Sequence, residues 1–344
     1  MINLQKLITS SEGVVLKNEN KIFDIVSDAD FEEKALRIFR WQAANNSFYQ
    51  QWIKSLKLNV DRISSFTQIP FLPIEFFKNQ ILVCGPLNSD AICFTSSATT
   101  SQNPSKHFVN DISIYEQSFL KGFERFYGAI EQYCILALLP SYLQRQGSSL
   151  VYMVNHLIHL GGNKHSGFYL ENLNELKKKI NFLKKSNQKV LLIGVSYALL
   201  DLCEMDIQLN QNFVVMETGG MKGRRKEMIK EELHEALKTG LGLETIHSEY
   251  GMTELLSQAY SKGQGIFETA PWMRILIRDI DDPLHLKTDE RTGGINVIDL
   301  ANINSCSFIA TQDLGRIINK NQFELMGRFD HSDVRGCNLI VGGL

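Results

Sequence analysis

The sequence predicts an α/β protein built on a largely parallel sheet, and three observations carry that prediction. The segments Tyr133–Leu139, Lys189–Gly194 and Phe213–Met216 each hold four or more consecutive apolar residues and stop at a proline, a glycine or a charged residue. Runs of that length and composition read as strands buried on both faces. Between them lie stretches whose apolar residues recur three and four apart, as Leu173, Leu176, Ile180 and Leu183 do. Strands alternating with amphipathic helices are the pattern of helices covering a parallel sheet. Finally, 344 residues with 44% hydrophobic and 22% charged side chains provide ample core for one large globular domain or two ordinary ones.

Taken in order, residues 1–60 form a helical segment packed on a main domain of residues 61–344. Phe31, Ala35, Ile38, Phe39 and Gln42 share one helical face, and Phe48, Trp52, Ile53 and Leu56 share another. Pro70 and Pro73 exclude a helix up to Pro73, so Ile69–Lys78 is expected to be extended. Asp90–Phe94 is a short buried strand. Ile112–Tyr127 is a helix whose N-terminal end is expected to face the loop before it. Helices follow at Ser148–His159, Leu173–Leu183 and Arg225–Lys238. From Phe267 onward the pattern turns to short β segments: Trp272–Ile280, Ile295–Leu300, Ser307–Ala310 and Gln322–Leu325.

Several function classes are disfavoured. A net charge of -2 gives no electrostatic reason to expect nucleic acid or a membrane surface, and no apolar run reaches the length of a span. Six scattered cysteines without a C-x-x-C pair, four of them in apolar runs, indicate reduced thiols. The first residues carry no signal pattern, so the expected location is cytoplasmic. His156, His159 and His165 lack an acidic or cysteine partner at ligand spacing.

The chemistry concentrates in Phe94–Lys106. Thr95, Ser96, Ser97, Thr99, Thr100 and Ser101 supply six hydroxyls, and Lys106 adds a positive charge. Backbone N–H groups, hydroxyls and an ammonium can together surround a polyphosphate. The loop lacks the Gly-Lys-Ser/Thr ending of a Walker sequence. Further on, Gly219 and Gly220 follow the strand at Phe213 and let the backbone approach a flat ligand. A competing chemistry is suggested by Gly194-Val195-Ser196-Tyr197-Ala198, which is close to a hydrolase nucleophile elbow.

The order of these segments resembles the adenylate-forming enzymes. The loop is similar to their Thr-Ser-Gly-Thr-Thr-Gly-x-Pro-Lys phosphate loop, with Ala98 and Ser101 at glycine positions. Tyr250-Gly251-Met252-Thr253-Glu254 resembles Tyr-Gly-x-Thr-Glu; Thr311–Gly315 resembles Thr-Gly-Asp-Leu-Gly; Gly327-Arg328-Phe329-Asp330 resembles Gly-Arg-x-Asp. The resemblance implies the large N-terminal domain of that fold, without its mobile C-terminal domain, each motif standing at a strand end. It implies ATP and Mg²⁺ as cofactors. Tyr250 would stack on adenine, with Gly251 beside it, and Thr253 would touch the α-phosphate. Glu254 would hold the metal, Asp313 the ribose hydroxyls, and Arg328 ribose and phosphate.

A narrower likeness lies in Leu72–Lys78, Ser105-Lys106-His107 and Glu249–Gln258, which resemble the LuxE-type acyl-protein synthetases. That family activates a fatty acid as acyl-AMP and passes it to a cysteine near the C-terminus, here Cys337, and then to an acyl-protein reductase. Arg335, two residues before Cys337, would favour the thiolate. Two other readings stand beside it. The acyl group goes to coenzyme A or an acyl carrier, or the chain is a catalytically weak scaffold subunit of an acyl reductase or synthase complex.

Overall fold

The structure is a computed structural model that describes residues 22–97, 103–141, 145–219, 225, 228–287 and 292–329. Ala98, Thr99, Thr100, Ser101, Gly220 and Cys337 lie outside the described residues.

Helix α1 (Asp28–Asn45) starts where Ser27 accepts the backbone N–H of Asp30, with Asp28 and Asp30 in the positive first turn. It buries Phe31, Ala35, Ile38, Phe39 and Gln42, the face that the sequence period marks. Asn46 ends it and caps α2 (Ser47–Ser55). Both helices join one continuous core that runs to Phe323. Gln42 is fully buried and fully paired. Its amide nitrogen donates to the carbonyls of Asn302 and Ile303, each at 3.0 Å, and its oxygen accepts from the Ser307 backbone.

The central strands are β1 (Leu72–Pro73), β4 (Tyr133–Leu138), β5 (Gly167–Phe168), β6 (Lys189–Val195), β7 (Phe213–Thr218) and β8 (His247–Tyr250). They continue as β9 (Ala259–Ser261), β10 (Ile266–Thr269), β11 (Met273–Arg278), β12 (Thr292–Asp299), β13 (Phe308–Asn319) and β14 (Gln322–Arg328). Their order is β11-β12-β13-β14-β10-β9-β8-β7-β6-β4-β5, with β1 beside β13. From β5 to β8 every pairing is parallel, whereas from β8 to β11 every pairing is antiparallel. The sheet is therefore mixed rather than largely parallel. Crossover helices occur only in the parallel half, and the close-spaced later strands are joined by turns that can only reverse direction. Helices α3 (Ile112–Tyr127), α4 (Ser149–Gly161), α5 (Leu173–Leu183), α6 (Ser196–Cys203) and α7 (Lys230–Leu241) make the remaining regular structure.

Four boundaries differ from expectation. The segment after Pro73 winds into a 3₁₀ turn, Ile74–Lys78, because no proline beyond Pro73 forbids it. Asp90–Phe94 is not a buried core strand: β2 (Ile92–Thr95) pairs only with β3 (Lys106–Val109) in a separate hairpin, and within β2 Phe94 alone is buried. Met228 and Ile229 precede α7 instead of opening it, and Gly242 ends that helix in a left-handed turn at φ 70°. Finally, β13 (Phe308–Asn319) runs on through Thr311–Gly315, a motif expected to stand at a strand end.

Candidate active site

Ligands of open α/β sheets bind outside the carboxyl ends of the parallel strands. Three expected groups meet there. Ser196 follows β6, Gly219 follows β7, and Tyr250 closes β8; the pairing of Thr218 with Glu249 sets Gly219 level with Tyr250. Gly219 turns at φ 70°, a conformation costly for other residues. Its carbonyl accepts the Ser196 hydroxyl at 2.8 Å. Ser196 is buried and its second contact is Glu217, so its hydroxyl fixes the turn after β7. The Ser196 hydroxyl is thus committed to the Gly219 carbonyl, and its other neighbour is the Glu217 carboxylate and not a histidine, which does not favour the nucleophile-elbow reading.

The two later motifs become one site through strand pairing. Asp313 lies directly opposite Arg328 across β13 and β14. Arg328 Nε donates to Asp313 Oδ1 at 3.0 Å, and the Tyr250 hydroxyl donates to Asp313 Oδ2 at 2.9 Å. Asp313 is in mid-strand, not at a strand end. Burial pushes its pKa up, opposed by the Arg328 charge. The Tyr250 ring is buried edge-on against Phe267 and Phe323, at 5.9 and 5.4 Å between centroids. Its described duty is thus to carry the hydroxyl to Asp313.

Glu254 sits past the end of β8 and is buried, 6% of the residue being exposed. Desolvation raises its pKa against a hydrogen bond from Ser105; Arg328 lowers it and Asp313 raises it, so all three charges feel one another. Such a carboxylate suits Mg²⁺, a hard cation that takes one or two protein carboxylates and completes its shell with water and phosphate oxygens. Among the described residues no cluster of three potential metal ligands stands ready.

The hairpin β2–β3 brings the hydroxyl-rich loop to this edge. Ser96 Oγ accepts the Ser105 backbone N–H at 2.9 Å, and Ser96 N–H donates back to the Ser105 carbonyl, closing the neck of the loop. Thr95 N–H donates to Gly147, while Ser97 and Lys106 are exposed at the neck. The N-terminus of α3 is not part of the site. β3 runs away from the loop, so that end lies a strand's length off and is already capped by Asp111.

Sequence reasoning missed three buried supports. His107 is fully buried, its Nδ1 2.8 Å from the Thr253 carbonyl and its Nε2 3.0 Å from Asn302 Oδ1. Burial pulls its pKa down to about 4 despite both bonds, so at neutral pH the ring is uncharged and carries one N–H. Asp299 accepts the backbone N–H groups of Leu256 and Ser257 and the Ser257 hydroxyl, which pins the turn after Glu254. Glu249 accepts the Thr218 hydroxyl at 2.5 Å, and burial pushes its pKa up to about 7. The only signal for Asp299 and Asn302 is polarity beside an apolar run. His107 stands in a quoted motif without an assigned role.

Other expectations resolve simply. His156 Nδ1 lies 3.2 Å from Glu116 Oε1. The five described cysteines are unpaired thiols. Burial raises the pKa of each, to about 11 at Cys134 and Cys203 and about 12 at Cys306. No described helix is long and apolar enough to cross a membrane.

The sequence matches the family described as acyl-protein synthetase, LuxE, over residues 1–343. No curated protein matches it. Among solved structures, ATP-bound MatB from Rhodopseudomonas palustris is similar at 14% identity and a TM-score of 0.51, over 69% of this chain and 47% of that one. The chain thus spans about half the length of that relative. An open conformation of 2-hydroxyisobutyryl-CoA ligase, in complex with 2-HIB-AMP and CoA, is similar at 11% identity and a TM-score of 0.61, over 88% of this chain and 75% of that one. The same ligase in its postadenylation state reaches 0.63. At these identities the likeness establishes the shared fold.

Proposed function

From the premise that the chain belongs to the LuxE acyl-protein synthetase family, we propose that it activates a fatty acid with ATP and passes the acyl group to a protein thiol. One observation carries the reading. Tyr250, Asp313 and Arg328, from three distant stretches of sequence, form a single hydrogen-bonded chain, and Glu254 lies within electrostatic reach of it.

In the first half-reaction a carboxylate oxygen of the acid attacks the α-phosphorus of ATP. A new C–O–P linkage forms, the bond to the leaving oxygen breaks, and pyrophosphate departs with that electron pair. The Ser/Thr-rich loop and Lys106 hold the phosphates, Asp313 takes the ribose hydroxyls, and Arg328 leaves Asp313 to meet sugar and α-phosphate. Gly219, Gly220, Tyr250 and Gly251 frame the base, and Thr253 contacts the α-phosphate. Magnesium, held by Glu254, would neutralise charge developing on the phosphate oxygens.

In the second half-reaction a thiolate attacks the acyl carbonyl and AMP leaves, its phosphate keeping the electron pair. We assign this thiol to Cys337. The five described cysteines are poor candidates, since burial disfavours the thiolate in each. Arg335 stands two residues before Cys337 in sequence. An acyl-protein reductase or an acyl carrier would then receive the group. A second reading, favoured by likeness to a ligase solved with CoA, ends on coenzyme A instead.

The test is carboxylate-dependent ATP–pyrophosphate exchange with a series of fatty acids, followed by incubation with labelled acid and a search for hydroxylamine-sensitive protein label. Exchange together with such label supports the reading. A protein that exchanges nothing with any acid overturns it, and label that appears only on added coenzyme A selects the second.

A further inference from the structure

Ser105, just before β3, and His107 within it lie on the side of the turn that carries Glu254, and Lys106 between them points the other way. Ser105 favours the charged form of the Glu254 carboxyl, and Lys106 lies exposed at the neck of the loop. His107 reaches the Thr253 carbonyl directly. Its other nitrogen meets Asn302 Oδ1, and Asn302 Nδ2 donates in turn to the Glu254 carbonyl at 2.7 Å. The Thr253 carbonyl and Asn302 Oδ1 are both acceptors and the uncharged ring has one N–H, so the ring donates to one of them, and the Thr253 carbonyl at 2.8 Å is the shorter contact; the Glu254 carbonyl is held separately by Asn302 Nδ2. The Asn302 amide orientation follows, because its nitrogen is committed to Glu254 and its oxygen must face the ring. Gln42 holds the Asn302 backbone at 3.0 Å from below.

Packing alone does not ask for histidine here. The ring meets Phe77 edge-on at 5.6 Å in a wholly enclosed space, where phenylalanine would fill a similar volume without burying polar nitrogens. Buried polar groups are costly unless paired, and the nearest partner of this ring is the Thr253 carbonyl of the turn that carries Glu254.

We propose that His107 is a positioning residue for the metal–nucleotide site: it locks the stem of the phosphate-binding loop to the Thr253–Glu254 turn and so fixes the aim of the Glu254 carboxylate. The inference rests on the nucleotide reading of that site and adds the element that orients it. Residues behind a metal ligand typically change metal affinity about 10- to 100-fold when removed.

The experiment compares the wild-type protein with His107→Phe, His107→Gln and Asn302→Ala. Mg²⁺ titrations follow both ATP binding by calorimetry and carboxylate-dependent pyrophosphate exchange, with thermal melts alongside. His107→Phe is expected to raise the Mg²⁺ concentration for half-maximal response roughly tenfold or more, while ATP binding without metal changes less. His107→Gln, which keeps an N–H donor, should recover part of the shift, and Asn302→Ala should reproduce much of it. A folded His107→Phe protein with wild-type Mg²⁺ dependence overturns the proposal. So do variants whose losses follow melting temperature alone, with Gln no better than Phe. If His107→Phe fails to fold, an unchanged Mg²⁺ dependence in both of the other variants overturns it as well. Wild-type protein that binds Mg-ATP without exchange would sink the proposed reaction and leave the binding titrations to decide on His107.

Discussion

Arg328 and Tyr250 hold the Asp313 carboxylate from opposite sides, the arginine from solvent at 3.0 Å and the tyrosine from the core at 2.9 Å. The Arg328 side chain is 69% exposed and that of Asp313 only 6%. One partner can therefore swing away while the other cannot. An arginine so exposed contributes little to stability, since ion pairs open to water are worth at most about 1 kcal/mol.

Arg328→Ala should accordingly leave the melting temperature almost unchanged and weaken ATP binding. Asp313→Ala should do both kinds of harm, leaving the buried Tyr250 hydroxyl unpaired and removing charge-assisted bonds to ribose, about 2–4 kcal/mol in nucleotide affinity. Calorimetric titration with ATP checks the pair. Equal affinities for wild type and Asp313→Ala would remove Asp313 from the site.

Glu254→Gln preserves shape and removes the charge. Exchange should fall by several kcal/mol of barrier at saturating Mg²⁺, the scale of losing a metal's charge stabilisation. The melting temperature in the absence of metal should hold or rise, because the buried charge is a cost in the free protein. Exchange rates and metal-free melts together test this.

Glu249 gives a pH signature. Its folded pKa is pushed up to about 7, above the ordinary carboxylate range, so the folded protein binds this proton more tightly than the unfolded chain. That stabilisation is complete below the unfolded pKa and is lost as pH rises through 7. Between about pH 5 and 8 the loss should be roughly 2–3 kcal/mol. Glu249→Gln stays neutral throughout and should flatten the slope. Denaturant melts at intervals across that range would show an unaltered slope if the carboxyl is already ionised in the fold.

Cys337→Ser should abolish hydroxylamine-sensitive label and leave pyrophosphate exchange intact, since the thiol enters only after acyl-AMP forms. Ala98→Gly should tighten ATP binding if that loop position requires a left-handed backbone, where alanine costs on the order of 1 kcal/mol. Unchanged affinity would show that alanine fits there without strain.

Much of the site is legible in the sequence because its chemistry is written in short contiguous motifs. Tyr250, Glu254, Asp313 and Arg328 announce themselves by residue type and order. What joins them does not. The pairing of Asp313 with Arg328 depends on β13 continuing through a motif full of turn-forming residues, and neighbouring strands overrule that local preference. The sheet's antiparallel half is hidden for a related reason, since short β runs carry no mark of direction. Apolar periodicity fares better, and the helical faces at Phe31–Gln42 and Leu173–Leu183 match their burial. His107, Asn302 and Asp299 are invisible, because a buried polar residue shows its purpose only through partners far away in sequence.

The link from Gln42 to Asn302, Ile303 and Ser307 makes the first described helix a foundation rather than an ornament. Its amide grips the corner between β12 and β13 from beneath, and the other side of that corner faces the Thr253–Glu254 turn. Shortening the protein from its amino end past Gln42 would strip three buried backbone groups of their partner beneath the site. An α1 graft from a distant relative would have to bring its own glutamine in register, so this segment cannot be swapped as a module while the rest is kept.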